Sequence, residues 1–262
     1  MEKTIGFFPF GSPVRVVEQI DRGPKRVFVL GVYASAVHAR WVDPRGNTVV
    51  GALAVASEPY IYWRGDYAAG LVNAIAIPPI LGTLCPASKS LNGPSGMSLE
   101  NDILCPMGVS RSEAWLADLV PHSCMNPRQE SAIGRSYEPL REKHELPVPS
   151  VPPVPKILAN SARQKAILNE LVESQAKILI LLGDQPIRWF LNRWDSSQER
   201  LADFGTDVRS YGRLQPMSIE GRKVSVLPLA HPRQVARLGF HSKKWYDIHQ
   251  EWKKDVAPGL LI

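Results

Sequence analysis

The chain has 262 residues, of which 44% are hydrophobic and 21% are charged, and its formal net charge is +6 at pH 7. This composition is typical of a globular protein and is compatible with one sizeable α/β domain. No apolar run approaches the roughly 18–20 residues that a membrane-spanning helix needs. The first residues lack the basic start and apolar core of a secretory signal, so we expect a cytoplasmic protein. The mild basic excess is compatible with a polyanionic partner.

Apolar runs that end at glycine or proline predict four buried strands. They lie at residues 27–32, 114–120, 176–182 and 223–230, and residues 48–56 are expected to be a further extended or turn segment. Predicted helices run from Ser98 to about Leu104, from Asn126-Pro127 to about Gly134, from Asn160 or Ser161 onward, over about 185–194 and 197–203, and from Ser242 to about Lys254. This alternation predicts an α/β fold whose parallel or mixed sheet has helices on both faces.

Residues 147–155 contain five prolines, a density that excludes a helix or a central strand. We interpret them as an extended excursion inside a single domain of residues 1–262. The reason is that two segments with candidate site residues, 31–35 and 231–240, lie on opposite sides of it and must meet. Composition alone would support a linker nearly as well.

Three cysteines are present, Cys85, Cys105 and Cys124. They form neither a disulfide framework nor a CxxC metal site, and they are too few for a four-cysteine iron–sulfur cluster. We therefore expect reduced thiols, no metal and no cofactor.

Basic and aromatic residues alternate near the C-terminus. Between Arg233 and Lys254 there are six Lys or Arg residues (Arg233, Arg237, Lys243, Lys244, Lys253 and Lys254), with Trp245, Tyr246 and Trp252 among them. The basic residues suit a DNA backbone. Trp245 and Trp252 have helical spacing, which favours a core stripe over a platform for stacked bases.

Two segments at predicted strand ends carry the residues with chemistry. The first strand runs into Gly31-Val32-Tyr33-Ala34-Ser35, and the fourth strand ends in His231-Pro232-Arg233, followed by Gly239-Phe240. In open α/β sheets, sites form beyond the carboxyl ends of the strands, where Tyr33, Asp118 and His231 are expected. With the turn Pro94-Ser95-Gly96, these segments resemble the motifs of the uracil-DNA glycosylase superfamily in order and spacing, over about residues 27–252.

The resemblance implies a three-layer α/β/α sandwich with a central four-stranded, mainly parallel sheet. It also implies a monomeric, DNA-binding enzyme that flips a base and hydrolyses its N-glycosidic bond, leaving an abasic site. His231 would donate a hydrogen bond to O2 of the leaving base, and Ser95 would contact a DNA phosphate. The remaining implied DNA contacts are a wedge region at Arg233, Gln234 and Val235, and backbone contacts at Arg237, His241, Lys243 and Lys244.

Tyr33 stands where the family has a water-positioning Asp or Asn. A phenol, whose reference pKa is about 10, is a poor base at neutral pH, although Tyr33 can still position water or the sugar by hydrogen bonding. Asp43, Glu58 and Asp66 follow in the chain and could supply the missing carboxylate, and we favour Glu58. Ser35 and Ala54 replace bulkier family residues, which would enlarge the base pocket unless Tyr60, Tyr62 or Trp63 refills it.

Asp118 stands where the family has a base-reading Asn. An ionised carboxylate only accepts hydrogen bonds, which suits the N4 amino group of cytosine better than O4 of uracil. The hypothesis is therefore a glycosylase for a C5-modified cytosine, such as the glucosylated hydroxymethylcytosine of phage DNA. Three alternatives stay open: a repair enzyme for uracil or another deaminated base, a non-catalytic DNA-binding relative, and an unrelated nucleotide-binding domain.

Overall fold

The computed structural model describes residues 4–238 and 242–261. Contacts between Cα atoms divide the chain into two compact units. Unit 1 contains Met1–Val17, Tyr33–Pro94 and Pro121–Pro155, and unit 2 contains Glu18–Val32, Ser95–Val120 and Lys156–Ile262. The Pro-rich residues 147–155 belong to unit 1, where Pro153 forms an isolated β-bridge with Met125 and Ser150 donates its backbone N–H to the Phe7 carbonyl at 2.8 Å. The single-domain interpretation of the chain stays a prediction.

The described residues contain ten strands and eight α-helices. The strands are β1 (Thr4–Phe7), β2 (Pro13–Arg15), β3 (Val27–Tyr33), β4 (Ala36–Val42), β5 (Thr48–Ser57), β6 (Thr83–Pro86), β7 (Ala114–Val120), β8 (Ile178–Leu182), β9 (Gln215–Ile219) and β10 (Arg222–Leu229). The helices are α1 (Ala68–Asn73), α2 (Pro94–Ser98), α3 (Pro127–Ala132), α4 (Glu138–Arg141), α5 (Ser161–Glu173), α6 (Asp184–Trp189), α7 (Pro232–Val235) and α8 (Ser242–Asp255). No described helix is long and apolar enough to cross a membrane.

Unit 2 is built on a five-stranded sheet in the order β7-β3-β8-β10-β9. The β3/β8 and β8/β10 pairs are parallel, and β9 is an antiparallel edge strand. The four predicted strands are confirmed as β7, β3, β8 and β10, so the α/β class is confirmed. The expected strand number of four is wrong, because a tight turn at Glu220-Gly221 adds β9 beside β10. Pro216 is tolerated in β9 because an edge strand has one unpaired side.

Of the two helix caps predicted at Asn160 and Ser98 in unit 2, one is present. Asn160 caps α5 by accepting from the Arg163 backbone N–H at 3.0 Å, as predicted. The expectation that Ser98 caps a helix is wrong: α2 already begins at Pro94 and continues directly into a π-helical segment, Leu99–Leu104. The Ser98 hydroxyl instead donates to the Asp102 carboxylate at 2.8 Å.

Unit 1 contains two small antiparallel sheets, a β1-β2 hairpin and a three-stranded sheet in the order β5-β4-β6. The extended segment expected at 48–56 is β5. Side chains of the three-stranded sheet pack around Trp41, Trp63 and Tyr137. The Asn126 cap of α3 is confirmed, since its side chain accepts from two backbone N–H groups.

Candidate functional site

The candidate residues fall into the two units. Tyr33, Ser35, Ala54 and Glu58 belong to unit 1, whereas Ser95, Asp118, His231, Arg233, Gln234, Val235, Arg237 and Lys243 belong to unit 2. His241 lies outside the described residues, as do Gly239 and Phe240.

The strand order of unit 2 marks one place where a ligand site is expected. The four predicted strands are, in chain order, β3, β7, β8 and β10, but in the sheet they stand in the order β7-β3-β8-β10. The direction in which the chain adds strands therefore reverses between β3 and β8. In open α/β sheets, ligands bind beyond the carboxyl ends of the strands at such a switch point. Leu182 at the end of β8 is in register with Leu229 at the end of β10, two residues before His231. His231 therefore lies at the carboxyl end of β8, the strand that borders the switch point.

Gly183 allows the chain after β10 to approach the end of β8. Its N–H donates to the Leu229 carbonyl at 2.8 Å, and its φ of +82° is in the region that favours glycine. A Cβ atom at this position would lie only 3.3 Å from Cβ of His231. Gly183 therefore belongs to the candidate site, although the sequence pattern indicated it only as the end of a strand.

His231 is held at the N-terminus of α7 by its own helix cap. Its Nδ1 accepts from the Arg233 backbone N–H at 3.2 Å, while the side chain of Gln234 accepts from the His231 N–H at 3.3 Å. The side chain is half-buried by surface area. Burial, with a smaller effect of the Arg233 charge, lowers the pKa of His231 to about 4. The imidazole is therefore neutral at pH 7.

The cap also determines which ring nitrogen carries the proton. A neutral imidazole has one N–H donor and one bare acceptor. Because Nδ1 accepts a hydrogen bond, the proton of His231 is assigned to Nε2. The ring is thus a neutral N–H donor fixed by its own backbone.

The predicted wedge region is only partly accessible. Arg233 is exposed, but Gln234 is turned back onto the helix cap and Val235 is buried at 1% exposure. The prediction that Val235 belongs to an inserting wedge is corrected, because this side chain already packs inside unit 2. Leu238, with 39% of its surface exposed, is the accessible apolar side chain of this segment, and the sequence reading missed it.

The predicted backbone-contacting cations differ in their surroundings. The guanidinium of Arg237 lies 3.8 Å from the centroid of the Tyr246 ring and 3.9 Å from the Asp247 carboxylate. Lys244 lies 5.8 Å from the Trp245 ring, and Lys243 is exposed on α8. Arg237 is therefore already engaged, whereas Lys243 faces solvent.

Asp118 is buried within β7, two residues before the strand ends, which agrees with the expected position near a strand end. Arg163 of α5 donates to the main-chain carbonyl of Asp118 at 2.6 Å and forms an ion pair with Glu170 at 2.8 Å. Glu170 also accepts from the Trp115 indole N–H at 3.2 Å. This buried group of charges fixes the backbone of β7 at the candidate base-reading residue.

Ser95 lies in the first turn of α2 and is half-buried. Its position at the start of the helical stretch 94–107 is compatible with the predicted phosphate contact.

In unit 1, Glu58 directly follows β5 and is buried at 4% exposure. One of its carboxylate oxygens accepts from the Trp63 backbone N–H at 3.3 Å. The loop between them has a left-handed residue, Tyr62, with φ of +51° although its side chain is buried. A bulky residue in this region is strained, and such strain is typical of functional loops.

The other two acids considered as the catalytic base, Asp43 and Asp66, form hydrogen bonds that hold local structure. Asp43 accepts from the backbone N–H groups of Arg45 and Asn47 in the β4–β5 turn, and these hydrogen bonds together with that from the Asn47 side chain lower its pKa. Asp66 accepts from the Tyr60 hydroxyl at 2.7 Å and pairs with Arg64 at 3.2 Å. Glu58 is therefore the buried carboxylate of the three.

Tyr33 and the two small residues have different environments in unit 1. Tyr33 is 46% exposed at the end of β3. The Ser35 carbonyl accepts from the buried Ser123 hydroxyl at 2.5 Å, which fixes this turn. Ala54 packs against Phe8 and Val14. The expectation that Ala54 opens a base pocket is corrected, because these two core side chains fill the space beside it.

Within the described ranges, no group of three or more His, Cys, Asp or Glu side chains could hold a metal ion. No protein-family model matches the chain, and no curated protein matches it.

Proposed function

We propose that the chain is a DNA glycosylase with a uracil-DNA glycosylase-like fold, acting on a C5-modified cytosine. The observation that carries the proposal is His231, a neutral N–H donor fixed at the carboxyl end of β8, the strand that borders the switch point of the α/β sheet. Support for the fold comes from the α/β sheet and from the order of the four predicted strands within it.

The reaction requires charge stabilisation at the leaving base. The C1′–N bond breaks, a water oxygen bonds to C1′, one water proton is lost, and the base leaves and gains a proton. Negative charge develops on the base, so a fixed donor at its O2 atom lowers the barrier, by about 2.7–4 kcal/mol if it acts like an oxyanion-hole donor. A neutral His231 donates to O2 without first binding a proton from solution.

Base selection is assigned to Asp118 and Ser35. A carboxylate accepts from the N4 amino group of cytosine, and a proton shared with cytosine N3 would complete the pair. A small side chain at Ser35 leaves room for a C5 substituent. Because Ala54 packs against Phe8 and Val14, room for this substituent is assigned to Ser35 and not to Ala54.

The DNA contacts of the proposal follow the accessible side chains. Arg233 and Lys243 are exposed and are assigned to phosphates, with Ser95 at the start of α2. The apolar wedge that holds the space left by a flipped base is assigned to the exposed Leu238, because Val235 is buried.

The test is an abasic-site assay on DNA containing uracil, hypoxanthine, cytosine, hydroxymethylcytosine or its glucosylated form. We expect cleavage confined to a modified cytosine, and His231→Ala should lower the rate about 10²–10³-fold. Asp118→Asn should damage the cytosine activity and spare or improve any uracil activity. Cleavage of plain cytosine at an equal rate would contradict the selection by Ser35.

Two other outcomes identify the alternatives. Cleavage of uracil by the unchanged protein would indicate a repair enzyme and make Asp118 a structural residue. DNA binding without any abasic product, unaffected by His231→Ala, would indicate a non-catalytic DNA-binding protein. This alternative is favoured by Tyr33, which stands where the resembled family has an Asp or Asn.

A further inference from the structure

A buried polar chain within unit 2 reaches the residue that precedes His231. The Tyr211 hydroxyl accepts from the Ala230 backbone N–H at 2.9 Å and lies 2.7 Å from Nδ1 of His249. Nε2 of His249 lies 2.8 Å from the carbonyl oxygen of Asp102. Tyr211, His249 and Ala230 are all at most 1% exposed. The chain therefore runs through the core, where an unmade hydrogen bond is costly.

The direction of each hydrogen bond is fixed by chemistry. A carbonyl oxygen only accepts hydrogen bonds, so Nε2 of His249 carries the proton and donates a hydrogen bond to the main-chain carbonyl of Asp102. Because burial lowers the pKa of His249 to about 4, the ring is neutral and its Nδ1 is an acceptor. The Tyr211 hydroxyl then donates to Nδ1, which leaves its oxygen free to accept from Ala230. Each of the three groups has one arrangement, and changing one disturbs the others.

The far end of this buried polar chain, at Asp102, lies in the helical stretch that also contains Ser95. The Asp102 carboxylate accepts from the Ser98 hydroxyl and from Nζ of Lys253, both at 2.8 Å. Ser98 is three residues after Ser95 along this stretch. The polar chain thus joins the segment proposed to contact a phosphate to the strand end that carries His231.

We propose that Tyr211 and His249 are positioning residues that set the place of the His231 ring through the Ala230 N–H group. Ala230 is held by Tyr211, and the next residue is held by its own cap, so the backbone before and at His231 is fixed from two sides. Neither positioning residue contacts the base. The catalytic meaning of this inference rests on the proposed glycosylase function, whereas the positioning itself does not.

The experiment follows the His231 ring directly. The full chain labelled with ¹⁵N-histidine gives the tautomer and titration of His231 by NMR, with His231→Ala to assign its signals. Tyr211→Phe removes the hydroxyl, and His249→Phe removes both ring nitrogens. His249→Gln keeps one acceptor and one donor and serves as the conservative variant. Tyr137→Phe is the matched control, because it also removes a buried hydroxyl that accepts from a backbone N–H group, that of Phe10 at 3.1 Å, but it lies in unit 1.

We expect Tyr211→Phe and His249→Phe to shift the His231 signals and to lower kcat about 10²-fold with little change in KM, as for a misplaced catalytic group. His249→Gln should restore most of both, and Tyr137→Phe should lower the melting temperature only. If Tyr211→Phe does not fold, His249→Phe carries the test, because it removes the acceptor of the Tyr211 hydroxyl.

Unchanged His231 signals in folded Tyr211→Phe or His249→Phe would overturn the inference, whatever the melting temperature. Shifted signals in a protein that releases no base from any DNA would keep the positioning role and overturn the glycosylase proposal instead. Equal losses of kcat in His249→Gln and His249→Phe, with His231 unmoved, would also overturn the positioning role.

Discussion

Each unit contains one candidate ionisable side chain just after a strand, and the two are held in different ways. Glu58 follows β5 in unit 1 and accepts a backbone N–H group from a loop with a left-handed residue. His231 follows β10 in unit 2, where a helix cap, a glycine on the neighbouring strand and a buried polar chain fix it. The first arrangement depends on loop conformation and the second on the core.

This difference explains why only one of the two could be read well from the sequence. The His-Pro-x-Gln pattern has a local meaning, because Pro at the first helical position and Gln three residues after His231 complete a helix cap. Glu58, Asp43 and Asp66 all accept hydrogen bonds from groups nearby in the chain, so the local pattern does not separate them. The difference is the burial of Glu58, which depends on tertiary packing.

The largest expected effect concerns Glu58. If it supplies the carboxylate that positions water, Glu58→Gln should lower kcat about 10²-fold or more, because general-base catalysis typically contributes that much. The amide can still accept from the Trp63 N–H, so the loop should keep its fold. The measurement is single-turnover base release on the best DNA substrate from the panel.

Asp43→Asn is the matched control, since it neutralises an acid that the structure places in an exposed turn. Its kcat should equal that of the unchanged protein. A loss below about threefold for Glu58→Gln would remove it as the base and would leave Tyr33 or bound water for that task.

The second prediction concerns the stability of unit 2 against acid. The pKa of His249 in the folded protein is about 4, below its unfolded value of about 6.5, so the unfolded chain binds more protons between these values. The stability held by neutral His249 is complete above about pH 6.5 and is lost as the pH falls toward 4. A pKa difference of this size corresponds to roughly 3–4 kcal/mol.

Denaturant unfolding at pH 7 and pH 4.5 measures this effect. His249→Gln has no titrating ring, so its free energy of unfolding should fall less between the two pH values than that of the unchanged protein. Because His231 also has a lowered pKa, it titrates in the same window, and His231→Gln separates the two contributions. Parallel losses in the unchanged protein and in His249→Gln would show that His249 is not the sensitive group.

Several features of the fold were predictable because they depend on local patterns. Continuous apolar runs identified the four strands of the unit 2 sheet, and Asn160 and Asn126 identified two helix starts. Trp252 was correctly assigned to the core, since its ring is fully buried.

Other features depend on contacts between distant residues. β6 was missed because its pairing with β4 joins residues about forty positions apart, and no single segment shows it. The roles of Tyr211 and His249 depend on a hydrogen bond between residues 38 positions apart. Val235 was assigned to a wedge from its place in the motif, yet the short helix α7 turns it inward.

The smallest expected effect tests the exposed side of the His231 segment. Arg233 is exposed, and no acidic side chain of the described residues forms an ion pair with it. Arg233→Gln should lower the magnitude of the salt slope of DNA binding by about 1, because one phosphate contact is lost. Arg237→Gln should leave the slope nearly unchanged, because Asp247 and the Tyr246 ring already hold that guanidinium.

Asp247→Asn is the variant that decides between these explanations. It removes the carboxylate 3.9 Å from Arg237 and leaves the arginine intact, so a phosphate can replace the lost partner. An exposed ion pair of this kind is weak, about 0–1 kcal/mol, and its removal should not affect folding. The slope should then increase in magnitude by up to about 1, and adding Arg237→Gln should cancel the increase. A large slope change for Arg237→Gln alone would mean that DNA displaces Asp247, and Arg237 would then belong with Arg233 among the phosphate contacts.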